Sequence, residues 1–135
     1  MSLGSSTELT LLVAAVIVGL AQLVWATAAG AGGSRDLPYL LGPRDEERPV
    51  TGVTAARLVR AFRNFMETFP LFAAALIAAL MTGKAGALTL WGSWLYVAGR
   101  VVFVPLYAAG TPVLRTLVWT VSMVGIVRVV AAFFG

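Results

Sequence analysis

Four apolar runs, each long enough to cross a bilayer, decide most of what this chain can become. A helix needs about 20 such residues to span the hydrocarbon core, and runs of that kind lie near 8–30, 51–82, 86–109 and 112–134. They are continuous and do not alternate, which excludes a transmembrane β-barrel. Of the 135 residues, 59% are hydrophobic and only 12% charged, too little polarity to coat a soluble domain. The expectation is an all-α integral membrane protein, a four-transmembrane-helix bundle forming one domain over 1–135.

The first eight residues, MSLGSSTE, hold no lysine or arginine, and the apolar run after them is longer than the core of a signal peptide. The first helix is therefore expected to be retained. Between the first two runs, GGSRDLPYLLGPRDEERPVTG is the one long loop, and Pro38, Pro43 and Pro49 argue against a continuous helix there. Tyr39, Leu40 and Leu41 interrupt its polarity and suit the membrane interface. The other turns are tight, TGKAG and AGTP, with Pro112 suited to the first position of a helix. Arg35, Arg44, Arg48, Arg57 and Arg60 flank the 31–50 loop, and Arg115 follows the third run; the far side offers Lys84 and Arg128. By the positive-inside rule the loop faces the cytoplasm and both termini face the opposite side.

Nine of the ten basic residues are arginine, and they are scattered through apolar helices and not gathered on one solvated face, which argues against nucleic-acid binding. The absence of cysteine and histidine removes disulfides, thiolate metal sites, the commonest metal ligand and the commonest general base. No metal is expected.

The charges inside the runs carry the functional signal. RAFRNFMETFP, residues 60–70, leads directly into LFAAALIAALM. On a helical wheel Arg57, Arg60, Asn64 and Glu67 fall within about 80° of one another. Ser93, Tyr96, Arg100 and Tyr107 share about 60° on the third helix, and Thr111, Arg115, Trp119 and Ser122 about 80° on the fourth. Glu67 lies about 18 Å and Arg100 about 14 Å from the same membrane face, at 1.5 Å per residue. Snorkelling to the headgroups accounts for Arg57 and Arg128. The remaining stripes should face a protein interior or a wet cavity, because an ion facing lipid is strongly disfavoured. A salt-bridge network in which Glu67 meets Arg63 or Arg100 is one solution. One carboxylate cannot neutralise Arg60, Arg63, Arg100 and Arg115 together, however, and an excess of guanidinium groups favours an anionic guest. The lone glutamate suggests that the guest also carries an ammonium group.

RAFRNFMETFPLF at 60–72 resembles the RAxxNxxE signature of the MAPEG family, the membrane-associated proteins in eicosanoid and glutathione metabolism. The likeness runs over nearly the whole chain, through GR at 99–100, PLYA at 105–108 and the arginine at 115, and is to bacterial-type members that resemble microsomal glutathione transferase. The resemblance implies a homotrimer in the bacterial inner membrane, with glutathione bound between protomers on the cytoplasmic side. It implies glutathione contacts for Arg60, Asn64, Glu67, Arg100, Tyr107, Arg63 and Arg35, with Glu67 towards the γ-glutamyl ammonium. Arg115 resembles the arginine that stabilises the thiolate, and Trp119 would border the pocket of a lipophilic second substrate. The implied activity is glutathione-dependent transfer to hydrophobic electrophiles, or reduction of lipid hydroperoxides. A non-catalytic lipid-binding or scaffold role on the same fold is the alternative. A small anion transporter is disfavoured because the chain shows no inverted repeat. Thr68 stands where several members have tyrosine, and Thr116 and Trp119 where some have serine and tyrosine.

Overall fold

The computed structural model describes residues 6–31, 36–43 and 52–135. Its elements are α1 (Ser6–Ala31), α2 (Leu37–Leu41), α3 (Val53–Met81), α4 (Ala87–Ala109) and α5 (Pro112–Phe134). All but α2 are long and apolar enough to cross a membrane, four spans in all. Their bounds fall within a few residues of the apolar runs. The protein is all-α among the described residues, and its outer surface is inside-out relative to a soluble bundle. Val13, Ile17, Leu20 and Val24 of α1 and Val113, Leu117, Val121 and Val127 of α5 are exposed, as a hydrocarbon solvent allows.

The four long helices run alternately up and down. Glu8 near the start of α1 meets Thr89 near the start of α4, and Arg57 near the start of α3 meets Ala108 at the end of α4. Helix α4 packs most extensively on α5 and also meets α1 and α3, while α3 contacts α1 and α5. The α3–α4 pair thus forms the centre, with α1 and α5 on either side, and α4 is the most enclosed helix.

Close approach of α4 and α5 rests on glycine. A Cβ placed on Gly125 would lie 2.6 Å from the carbonyl oxygen of Gly92, and one on Gly92 would lie 2.7 Å from that of Gly125. Small residues at facing positions let membrane helices gain van der Waals contact where no hydrophobic force drives them together. Around this contact Phe72 stacks on Tyr96 with ring centroids 4.3 Å apart, and Leu11, Leu76, Val97, Ile126 and Val129 complete the larger apolar cluster. At the other end the apolar cluster is small, Ala26, Leu58 and Val104. Arg100 and Asn64 meet between the two.

The long loop contains a feature that its prolines concealed. Asp36 caps α2 by accepting from the Tyr39 amide at 3.1 Å, and Pro38 sits in the first turn, where a missing N–H is harmless. Pro38 therefore starts a short helix of five residues, and Tyr39 and Leu41 lie on it. Arg35, Arg44, Arg48 and Pro49 lie outside the described residues. Arg57 also departs from free snorkelling. It is half-buried, donates from Nη1 to the Ala108 carbonyl at 3.3 Å, and packs where a side chain on Gly110 would stand. Gly110 has φ of 75°, the left-handed conformation that ends α4 before Pro112 opens α5.

Gly125→Val is expected to force α4 and α5 apart, with a loss of about 2 kcal/mol or more from overpacking. Thermal unfolding in detergent should show a clearly lowered midpoint, whereas Val124→Ala on the exposed side of the same helix should change it little.

Candidate functional site

The centre of the site is a charge enclosed by protein. Arg100 is 0% exposed, although it lies on a membrane-spanning helix. Its Nη1 donates to the Asn64 side-chain carbonyl at 2.8 Å. Its guanidinium lies 4.2 Å from the centroid of the Phe103 ring and 5.7 Å from that of Phe65. Aromatic faces attract a desolvated cation, so two rings and one amide oxygen together hold the ion. Nε and Nη2 have no hydrogen-bond partner among the described residues. Asn64 can reach across because it sits on the flank of α3, between the buried stripe of Leu58, Phe65 and Phe72 and the outer face.

Asn64 also lines a cleft of about 250 Å³ with Phe103, Tyr107, Arg115, Thr116 and Trp119. The cleft lies between α3, α4 and α5, at the end of the bundle where α4 stops and α5 begins. Arg115 is half-buried, and its guanidinium sits 4.4 Å from the Tyr107 ring centroid. Tyr107 in turn meets Phe103 edge-on, with centroids 5.4 Å apart. The cation is thus placed by an aromatic platform. Among the described residues its guanidinium makes no hydrogen bond, which leaves its donors for a ligand. Thr116 donates its hydroxyl to the Pro112 carbonyl at 2.8 Å, so it contributes mainly its methyl group and a lone pair.

Of the residues singled out from sequence, the structure brings Asn64, Tyr107, Arg115 and Trp119 together around the cleft, with Arg100 behind Asn64. Arg60, Arg63 and Glu67 are exposed on the outer face of α3. The pairing of Glu67 with Arg63 or Arg100, one of the arrangements left open by the sequence, does not form among the described residues. Glu67 is exposed on the outside of the bundle, and Arg100 takes Asn64 instead. The polar stripes also divide. Ser93 and Tyr96 are buried, as is Ser122; Ser93 donates to the Thr89 carbonyl at 2.7 Å and Ser122 to that of Val118 at 3.2 Å. The two serines satisfy helix carbonyls, and none of the three residues lines this cleft. Thr68 is buried too, bonded to the Tyr96 hydroxyl at 3.0 Å, so position 68 faces α4 and not a ligand. Arg35 lies outside the described residues.

Two buried side chains, only the first of them at the cleft, were not singled out in the sequence. Phe103 both cradles Arg100 and lines the cleft; it lies one turn before Tyr107, the i,i+4 spacing that places two rings side by side. Glu8 is 2% exposed and accepts from Thr89 at 3.2 Å, far from the cleft.

The sequence model of the MAPEG family matches residues 9–134. The chain belongs to the MAPEG family. A search of curated proteins found no match. Membership makes this an integral, multi-pass membrane protein, in a family that includes glutathione transferases and related enzymes. Within that MAPEG bundle, the Arg100–Asn64 contact joins the two central helices and supports the cleft wall.

Asn64→Leu is expected to leave the buried guanidinium without its hydrogen-bonded partner and to destabilise the protein by roughly 2 kcal/mol. Asn64→Asp, which keeps an acceptor and adds a counter-charge, should recover most of that loss. Unfolding midpoints of the two variants in the same detergent check the difference.

Proposed function

We propose that the protein is a glutathione-dependent transferase, with glutathione peroxidase activity towards lipid hydroperoxides, working as a homotrimer. The observation that carries this reading is the placement of Arg115, half-buried in the cleft and carried on the Tyr107 ring. A cleft walled by a fixed cation, an amide and aromatic rings suits an anionic thiol. Glutathione offers two carboxylates, one ammonium and that thiol, which matches the charge types offered by Arg60, Arg63, Arg115 and Glu67.

The exposed charges support the trimer. Arg60, Arg63 and Glu67 occupy the outer face of a helix that crosses the membrane. Facing lipid, each would be strongly disfavoured. A second copy laid against this face would enclose them in a shared, watered pocket continuous with the cleft. Glutathione would then bind between protomers, with Arg60, Asn64 and Glu67 from one wall, and Arg63, Arg35, Arg100 and Tyr107 supporting it.

The chemistry requires little of the protein beyond charge. A free cysteine thiol has a pKa near 8.5 and is mostly protonated at neutral pH. Arg115 beside the sulfur favours the thiolate. The thiolate attacks an electrophilic carbon, forming an S–C bond as the leaving group departs with the bonding pair. With a hydroperoxide it attacks the O–O bond, giving the alcohol and a sulfenic acid, which a second glutathione converts to disulfide and water. The lipophilic partner enters past Trp119, whose exposed ring borders the cleft. Placement of the cleft and the 31–50 loop in the cytoplasm follows from the arginine distribution.

Millimolar glutathione should raise the unfolding midpoint of the detergent-solubilised protein; saturation at about a hundred times the dissociation constant corresponds to about 2.7 kcal/mol. Arg115→Ala should keep much of that shift while lowering conjugation of an aryl halide about a hundredfold, the usual effect of losing one anion-stabilising group. No shift with glutathione would overturn the proposal. A shift without turnover in the wild type would favour the non-catalytic alternative.

A further inference from the structure

Arg100 is only half satisfied by α3. Nη1 donates to Asn64, while Nε and Nη2 have no hydrogen-bond partner among the described residues. These two nitrogens each present an N–H on the same edge of the planar guanidinium, so what is missing is one acceptor beside that edge. Arg100 is 0% exposed, and the acceptor is therefore internal.

Helix α1 carries a matching group. Gln22, the only glutamine in the chain, is 2% exposed, and neither its Oε1 nor its Nε2 has a hydrogen-bond partner among the described residues. Three observations make it a neighbour of Arg100. The Glu8–Thr89 hydrogen bond sets the register of the parallel helices α1 and α4. Carried along both helices, it brings Gln22 level with Phe103, about 4.5 Å along the axis from Arg100. Side chains tilt towards the start of their helix, which leans the Gln22 amide back towards Arg100. Gly19, one turn before Gln22, lies so close to Phe65 that an added Cβ would stand 2.7 Å from the ring. Arg100 faces that same ring, at 5.7 Å from its centroid. Val104, one turn beyond Arg100, lines a groove together with Gln22 and Val101.

A donor edge and an amide left unpaired in one apolar interior are each unfavourable, and each supplies what the other lacks. We propose that Gln22 is a positioning residue for Arg100, joined to it through one enclosed water. The water accepts from Nε and Nη2 and donates to Gln22 Oε1, and about three hydrogen bonds are usual for a buried water. Gln22 Nε2 donates to the Val101 carbonyl, to which Pro105, one turn later, has no amide hydrogen to offer. The guanidinium is then held from α1 as well as α3, and its fixed Nη1 orients the Asn64 amide in the cleft wall.

The test needs no thiol, so its outcome is independent of the proposed transferase activity. With side-chain ¹⁵N-glutamine, the detergent-solubilised wild type gives a single carboxamide signal, whose protons should show a cross-relaxation peak to a long-lived water. Gln22→Leu takes the acceptor from a buried cation and should lower the unfolding midpoint by roughly 5 °C. Gln22→Glu keeps an acceptor and adds a counter-charge, and should restore the wild-type midpoint or exceed it. A midpoint in Gln22→Leu equal to or above that of the wild type would overturn the proposal, because exchanging an isolated unpaired amide for leucine predicts that rise. Gln22→Glu falling below Gln22→Leu would overturn it as well, since a carboxylate remote from any cation is worse placed than leucine. Absence of the water peak in the wild type would equally overturn the bridge.

Discussion

An arginine held at 0% exposure inside a membrane bundle sets the terms for everything around it. Taking a guanidinium out of water is unfavourable unless hydrogen bonds and polarisable neighbours replace its hydration. Here Asn64, Phe103 and Phe65 do so from two helices. The contact therefore fixes how α3 and α4 face each other. The same placement puts Asn64 and Phe103 in the wall of the cleft where Arg115 lies on Tyr107.

The bundle is consequently unequal along its length. The end holding Leu11, Phe72, Leu76, Tyr96 and Val129 is a dense apolar core, with Gly92 and Gly125 bringing α4 and α5 into contact. The other end has a thin apolar core and most of the charge. Stability is concentrated at one end, which leaves the other free to carry charge that packing alone would not favour. In the proposed reading, the exposed Arg60, Arg63 and Glu67 extend this polar end outward to a neighbouring copy.

The fold was largely legible because membrane spans are read from length and apolarity, and both survive without knowledge of packing. The spans expected near 86–109 and 112–134 correspond to Ala87–Ala109 and Pro112–Phe134. The helical wheel also picked out Asn64, Tyr107, Arg115 and Trp119. It could not separate Tyr96, which turns inward to Thr68, from Tyr107, which turns to the cleft. An arc of 60° to 80° spans two neighbouring helices, and only packing decides which of them a residue meets. Depth and opposite charge left a Glu67–Arg100 pair open, but Asn64 lies nearer the α4 side of α3 and takes the guanidinium. Arg57 and α2 were missed for a related reason: a hydrogen bond to Ala108 and a cap by Asp36 depend on where a chain end arrives, which periodicity does not encode.

Whether the half-buried Arg115 ionises a bound thiol decides the proposed function. Thiolate absorbance in the ultraviolet, followed as glutathione is added to the solubilised protein at neutral pH, reads this directly. The wild type should build a saturable thiolate signal well below the ordinary thiol pKa of about 8.5, and Arg115→Ala should lose most of it. An equal signal in both proteins, or none in the wild type despite bound glutathione, would contradict the account.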